Sequence, residues 1–343
     1  MFDSIGSSRT VLSRYRIVWA VIVLAVIAGA VWIWRIAQMP LRSFAGPLPA
    51  LSRSQKELED RLSIHVSYLA ETIGERNLSR PQALRAAAEY LNLTLEQAGY
   101  TVSPRCFSVQ NDRQVCNLEV RLPGNDLGGE TVIVGAHYDS ARGTPGANDN
   151  ASGVAALLEL ARLLHDSKPR KTLRLVFFVD EEPPFFQTDT MGSLVYARQL
   201  QTEDVRVSAM IALETIGFYS DAPGSQRLPA LLSVFYPSRG NFVGFVGNWE
   251  SRGLVRRTIR KFRESSNFPS QGIAAPADCP GTGWSDHWSF WQEGLPAIMI
   301  TDTALFRYPH YHKSSDTPDK LDFGKMARVV DGVRVVVESL ASE

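Results

Sequence analysis

The pattern of apolar positions divides the chain into three regimes. From Ile17 to Trp34 (IVWAVIVLAVIAGAVWIW) there is no charge, and a helix of that length crosses most of a hydrocarbon core. Residues 38–52 (QMPLRSFAGPLPALS) carry Pro and Gly without periodicity and read as a linker. Apolar residues then recur at helical spacing over 53–73 and 81–98, the second segment opened by Ser79-Arg80-Pro81 and closed by Gly99. Beyond residue 100 the period changes. Short apolar runs at 131–137, 173–180, 208–214 and 296–301 alternate with helical segments near 151–165, 191–201, 285–293 and 319–340. Because the runs are continuously apolar, both of their faces are expected to be buried, which predicts an α/β three-layer sandwich: a mixed, mostly parallel central sheet with helices on each side. The expected organisation is a cytoplasmic N-terminus over 1–16, a transmembrane anchor over 17–36, a linker over 37–52 and one folded domain over 53–343.

Composition narrows this picture. The 343 residues are 44% hydrophobic and 21% charged, enough to bury a large core, and 36 basic residues balance 36 acidic ones. No bulk charge points to nucleic acid, so function must come from a site. Arg9, Arg14 and Arg16 precede the apolar run while Arg35 and Arg42 follow it, a weak positive-inside bias that favours a cytoplasmic N-terminus and an extracytoplasmic domain. A cleaved signal peptide is the competing reading, disfavoured by the length of the run and the lack of a small-x-small site after it. Cys106 and Cys116 flank a polar turn at Asn111-Asp112. They are either cross-strand partners in a disulfide or two buried thiols.

In open α/β sheets ligands gather beyond the carboxyl ends of the strands. The first run ends at His137-Tyr138-Asp139, the second at Asp180-Glu181-Glu182 and the third at Glu214. Asp139, two residues past His137, falls on the same side of an extended strand and can hold the far nitrogen of a metal-bound imidazole. Asp149 stands in GANDNASG (146–153), twelve residues after His137, where a Gly-bearing loop allows both side chains to converge. Taken alone, Asp149 or Asn150 would read as an ordinary helix cap. Glu181 and Glu182 repel one another at a buried strand mouth unless a cation or a shared proton intervenes, and one can bind metal while the other stays free as a base. His312 lies just before Thr317-Pro318, which read as N-cap and first residue of the last helix.

The ordered motifs HYDS (137–140), NDNASG (148–153), DEE (180–182), LETIG (213–217), SDH (285–287) and YH followed by DTPDKLD (311–322) resemble the co-catalytic zinc aminopeptidases. Glutamate carboxypeptidases, glutaminyl cyclases and catalytically silent transferrin receptors belong to the same superfamily. The resemblance spans roughly 80–340 and implies two zinc ions, with Asp149 bridging, His137 and Glu214 completing one site, and Glu182 and His312 the other. It also implies Glu181 as general base, Tyr311 as an oxyanion stabiliser, Asp139 and Asp286 as supports, and a cis peptide at Asp149-Asn150. Many relatives carry Asp where this chain has Glu214. The stretch EEPPFFQTDTMGS (181–193) also departs from the pattern and reads equally as a rigid pocket wall or a packed loop. The expected activity is an aminopeptidase acting on peptides with a free N-terminus. A single-zinc glutaminyl cyclase and a silent receptor-like ectodomain are the alternatives.

Overall fold

The computed structural model describes residues 18–24, 26–29, 31, 35–125 and 129–343. The domain starts at helix α1 (Arg53–Ser67), where the Ser52 hydroxyl accepts from the Gln55 amide and the Gln55 side chain accepts from the Ser52 amide. That reciprocal pair satisfies two amide donors at the helix start. Helix α2 (Pro81–Gln97) begins on proline, as expected. The eight strands are β1 (Ser103–Val109), β2 (Arg113–Leu122), β3 (Glu130–His137), β4 (Thr172–Phe178), β5 (Arg206–Glu214), β6 (Val243–Gly247), β7 (Ser270–Ala274) and β8 (Ala297–Thr301). They form one mixed sheet in the order β1-β2-β4-β3-β5-β8-β6-β7.

The centre of the sheet, β4-β3-β5-β8, is parallel. Strands β1 and β2 join one edge antiparallel, and β6 pairs antiparallel with β8 while β7 runs parallel to β6. Successive residues of the central strands enter opposite layers: Val132, Val134 and Ala136 join one core, Ile133 the other, and likewise Leu175 and Phe177 against Val176 and Phe178. The larger core is covered by α1, α3 (Gly153–Leu164), α5 (Arg252–Ser265) and α7 (Phe323–Ser342), the smaller by α4 (Gly192–Thr202) and α6 (His287–Gln292). This is the three-layer arrangement that unbroken apolar strands require.

Several expectations shift in detail. Strands β6 and β7 carry no strong apolar run and were not anticipated. Thr317 and Pro318 do not open the last helix. They head a single 3₁₀ turn (Pro318–Lys320), and α7 begins at Phe323 with the Asp322 carboxylate accepting from the Lys325 amide at 2.9 Å. A carboxylate five residues downstream of Thr317 thus supplies the cap. Of the two readings for the cysteine pair, the disulfide holds: Cys106 lies opposite Cys116 in the β1–β2 hairpin and their sulfurs are bonded.

Among the described residues no helix is long and apolar enough to cross a membrane; positions 17, 25, 30 and 32–34 of the expected span lie outside them. Val18, Trp19, Leu24 and Val26 are exposed. Residues 38–52 have no helix or strand, and they are strapped to the domain. Arg263 donates to the carbonyls of Pro40 and Leu41, Arg328 to that of Pro49, and the Ser270 amide to Ser43 Oγ.

Glu159 on α3 pins α1 to α3, with its Oε1 2.8 Å from Arg61 Nε and 3.2 Å from His65 Nε2 and its Oε2 2.8 Å from Arg162. Burial works to raise its carboxyl, but these donors outweigh it and hold it down at about 2. A carboxyl depressed on folding contributes stability that is complete above its unfolded value near 4.5 and is lost as pH falls toward 2. Glu159→Gln should therefore cost roughly 1–3 kcal/mol in urea unfolding at pH 7, and the gap to wild type should narrow in acid.

Candidate metal centre

The carboxyl ends of β3, β4 and β5 open on one side of the sheet, and the loops that follow them deliver the acidic residues. His137 is the last residue of β3 and Glu214 the last of β5, and both are buried. Asp149 sits in the loop before α3, and the Asp149-Asn150 peptide is cis. That loop is held from three directions. The Asp316 carboxylate accepts from the amides of Asn148 and Asp149 at 2.8 and 3.1 Å. The Asn150 side chain donates to Leu213 O and accepts from the Thr215 amide, so it staples the loop to the end of β5. Asn148 Nδ2 donates to Asp302 Oδ2 at 2.9 Å.

As a result Asp149 faces both histidines. Its Oδ1 lies 3.3 Å from His137 Nε2, and its Oδ2 lies 3.0 Å from His312 Nε2. Glu214 Oε2 is 3.2 Å from His137 Nε2, and Glu182 Oε2 is 3.2 Å from His312 Nε2. Two donor triads, His137-Asp149-Glu214 and Asp149-Glu182-His312, share one carboxylate, and each is compact enough to hold a metal ion. His137, Glu181 and Glu182 form a third grouping, but Glu181 Oε2 stands farther off, 3.8 Å from His137 Nε2.

The donor set suits zinc in type and spacing. Imidazole nitrogens and carboxylate oxygens are zinc ligands, and atoms sharing a tetrahedral ion at about 2.0–2.1 Å lie roughly 3.3 Å apart. His137 Nε2 and Glu182 Oε1 are buried and make no hydrogen bond of acceptable geometry. Among protein atoms alone they are orphans, a costly state that a bound cation relieves.

Electrostatics say the same. Burial first, then the neighbouring Glu182, Glu214 and Asp286, pushes Glu181 well up against the pull of His137. Burial, then Asp149, lifts Glu182 to about 7, and burial also raises Glu214. Burial works against charge on His312, yet hydrogen bonds to Asp149 and Glu182 raise it to about 11. His137 is likewise held well above its ordinary value by Glu181 and Glu214 despite its burial. Asp149 alone is driven down, because both imidazoles outweigh its desolvation.

The expected supports are placed as follows. Asp139 accepts from the amides of Glu181 and Glu182 at 3.2 and 3.1 Å, fixing the acidic pair. Toward His137 its carboxylate stands at 3.5 Å, and Nδ1 meets its backbone carbonyl more closely, at 3.2 Å. Asp286 is fully buried without a well-formed hydrogen bond on either oxygen, and burial raises it to about 7. Tyr311 stacks on the His312 ring at 4.0 Å. It also helps line, with Glu214, a mostly apolar cavity of about 120 Å³ walled by Tyr236, Phe242, Phe245, Met299 and Trp284. The 181–193 stretch does not wall this cavity. Its prolines, joined by a cis bond, lead into the buried Phe185, which favours the packed-loop reading.

Four residues escaped sequence reasoning: Ser285, Asp316, Asn150 as a staple, and Arg76. Ser285 Oγ donates to Glu214 Oε2 at 2.7 Å. Arg76 is wholly buried, and its guanidinium donates to the carbonyls of Tyr138, Pro145 and Gly146 at 2.8, 2.5 and 2.9 Å, clamping the loop that carries Asp139 and precedes Asp149. Burial lowers Arg76 to about 10, while Asp139, Asp316, Asp149 and Glu182, none in contact, sustain its charge. Only its Arg identity signals this in sequence, and Arg is common on surfaces.

Residues 117–337 match the model of peptidase family M28. The uncharacterized protein YfbL of Escherichia coli (strain K12) is 41% identical over 80% of this chain and 86% of its own. Aminopeptidase YwaD of Bacillus subtilis (strain 168) is 26% identical over 71% of this chain and 48% of its own. The chain thus spans about half the length of that relative. Among solved structures, the LapA aminopeptidase of Legionella pneumophila superposes with a TM-score of 0.67 at 19% identity, covering 87% of this chain and 78% of that one. Glutaminyl cyclase of Fimbriiglobus ruber does so at 0.62 and 20%, covering 88% and 99%. At such identities these structures speak for the fold alone.

Arg76→Leu should lower stability by on the order of 3 kcal/mol by stranding buried carbonyls, measured by urea unfolding. Arg76→Lys should recover only part, because an ammonium cannot reproduce the planar fork.

Proposed function

The chain belongs to peptidase family M28, and with it to the zinc metallopeptidases; we propose that it is an aminopeptidase that removes N-terminal residues from peptides using two zinc ions. The observation that carries the proposal is Asp149, whose two oxygens each face a different histidine within a compact donor triad. In this reading His137, Asp149 and Glu214 hold one ion, and Asp149, Glu182 and His312 the other. Zinc bound there supplies Lewis acidity toward the scissile carbonyl and brings the pKa of water toward neutrality.

The chain's own groups do the rest. Glu181 stands outside both triads that share Asp149, with its Oε2 3.8 Å from His137 Nε2, which leaves its carboxylate free to accept a proton. It takes the proton from the attacking water and returns it to the leaving amine. Asp139 keeps Glu181 in place through the backbone amides. Tyr311, beside His312 and lining the cavity, donates its hydroxyl to the developing oxyanion. The apolar cavity next to Glu214 receives the side chain of the first residue, and the acidic cluster attracts the free α-ammonium.

The exposed apolar residues between 18 and 31 support a membrane anchor, with the catalytic domain on the extracytoplasmic side. A single-zinc glutaminyl cyclase shares the fold, but it leaves the His137-Glu214 pair without a purpose.

Glu181→Gln should retain two zincs by elemental analysis while turnover of aminoacyl peptides falls about 10²–10⁴-fold; wild-type rates in this variant would sink the assignment of the base. Asp149→Ala should lose both ions together. Only neutral imidazole binds metal, and in the metal-free site both histidines are held protonated, His312 up to about 11. Zinc uptake at neutral pH should therefore release protons, and zinc affinity should rise with pH. Both effects are readable by calorimetry in buffers of different ionisation heat. Cyclisation of N-terminal glutamine without release of amino acids, with one zinc per chain, would favour the cyclase reading instead.

A further inference from the structure

The apolar face of α5, made of Leu254, Val255, Ile259 and Phe262, is buried in the larger core, which turns its arginines outward. Arg252, Arg256 and Arg260 recur every four residues and so form one stripe on the helix surface, about 12 Å long. Among the described residues none of the three pairs with a carboxylate; their neighbour Arg257 differs, meeting Glu343 at 3.2 Å. Arg252 donates to the carbonyl of Arg35 at 3.3 Å and Arg256 to that of Gln38 at 2.5 Å. The stripe thus lies against the chain as it leaves the exposed apolar side chains that run from Val18 to Leu24 and recur at Val26, Ile27 and Val31. Trp249 stands beside it, about half exposed, with the Arg252 guanidinium 5.7 Å from its ring.

An uncompensated arginine stripe is an unfavourable arrangement in isolation: burial first, then Arg252 and Arg260, depresses Arg256. Opposed anionic phosphates would reverse the sign of that interaction, and a guanidinium can meet a phosphate through paired N–H donors. An exposed Trp next to such a stripe suits the headgroup zone, where amphipathic rings collect. Continuity with the apolar segment selects a lipid surface over a soluble polyanion.

We infer that Trp249 and the Arg252-Arg256-Arg260 stripe dock the catalytic domain onto the anionic headgroups of the membrane that holds its N-terminal helix. This rests on the anchor reading given above. It adds that the domain lies against the bilayer and does not swing free on its linker, which is itself strapped to α5 through Arg256 and Arg263.

The test uses the full chain in nanodiscs of zwitterionic lipid, with or without phosphatidylglycerol, and phenylglyoxal footprinting of arginines by mass spectrometry. Reactivity of Arg256 and Arg260 should fall several-fold only in the anionic discs and recover in high salt, while the exposed Arg53 stays constant. If the chain co-isolates with the discs but these arginines react equally in both lipids, docking is overturned and the anchor stands. Protection that is equal in both lipids and insensitive to salt also overturns headgroup recognition. If the chain does not co-isolate with either disc, the anchor reading itself fails, and the docking inference with it.

Discussion

The structure around the site depends on one carboxylate, Asp149, being presented to two imidazoles at once. A buried acid normally takes up a proton, and its neighbours Glu181, Glu182 and Glu214 are all pushed that way. Asp149 goes the other way because His137 and His312 flank it. Such a geometry cannot come from the side chain alone. It needs the loop before α3 held between Asp316, Asn150 and Arg76, each bound to a different part of the same turn. The sheet supplies the frame: parallel β3, β4 and β5 end on one side, so residues far apart in sequence converge there.

This explains why the cluster tolerates so much buried acid. Six carboxylates, Asp139, Asp149, Glu181, Glu182, Glu214 and Asp286, crowd a volume served by two imidazoles and by the Arg76 guanidinium, which is bound to backbone carbonyls and not to any of the six. In a low-dielectric site that imbalance is costly unless protons or cations offset it. Protons can do so, as the raised carboxyls show, but they leave His137 Nε2 and Glu182 Oε1 without partners. A divalent cation would offset the charge and occupy such atoms together, so the carboxylates that held one would be those least stable without it.

Legibility in sequence followed the strength of local signals. The central strands were readable because burial on both faces leaves an unbroken apolar run, and His137, Glu181, Glu182 and Glu214 were readable because they stand where such runs stop. Strands β6 and β7 were not, since FVGFVG and SQGIA give short, glycine-interrupted signals. Asp149 was ambiguous from residues alone, because an acid before a helix is an ordinary cap; motif order decided it. Ser285 and Asp316 stand in the motifs SDH and DTPDKLD, but what they and Arg76 do was illegible for another reason. Their roles are contacts to backbone or to a distant side chain, and no periodicity or spacing encodes those. The last helix was misplaced because Thr-Pro is a sound start signal that a 3₁₀ turn also satisfies.

Glu214 illustrates how a local departure is absorbed. Compared with aspartate, it carries one more methylene and one more rotatable bond, which loosens a ligand at a strand end. The structure answers this with Ser285, whose hydroxyl fixes Oε2 at 2.7 Å. The longer reach places the oxygen 3.2 Å from His137 Nε2, the same separation that Glu182 keeps from His312. The two halves of the site are thus matched in spacing although one carboxylate comes from a strand terminus and the other from a loop. Since Glu214 also borders the cavity, one side chain belongs both to a donor triad and to the apolar pocket beside it.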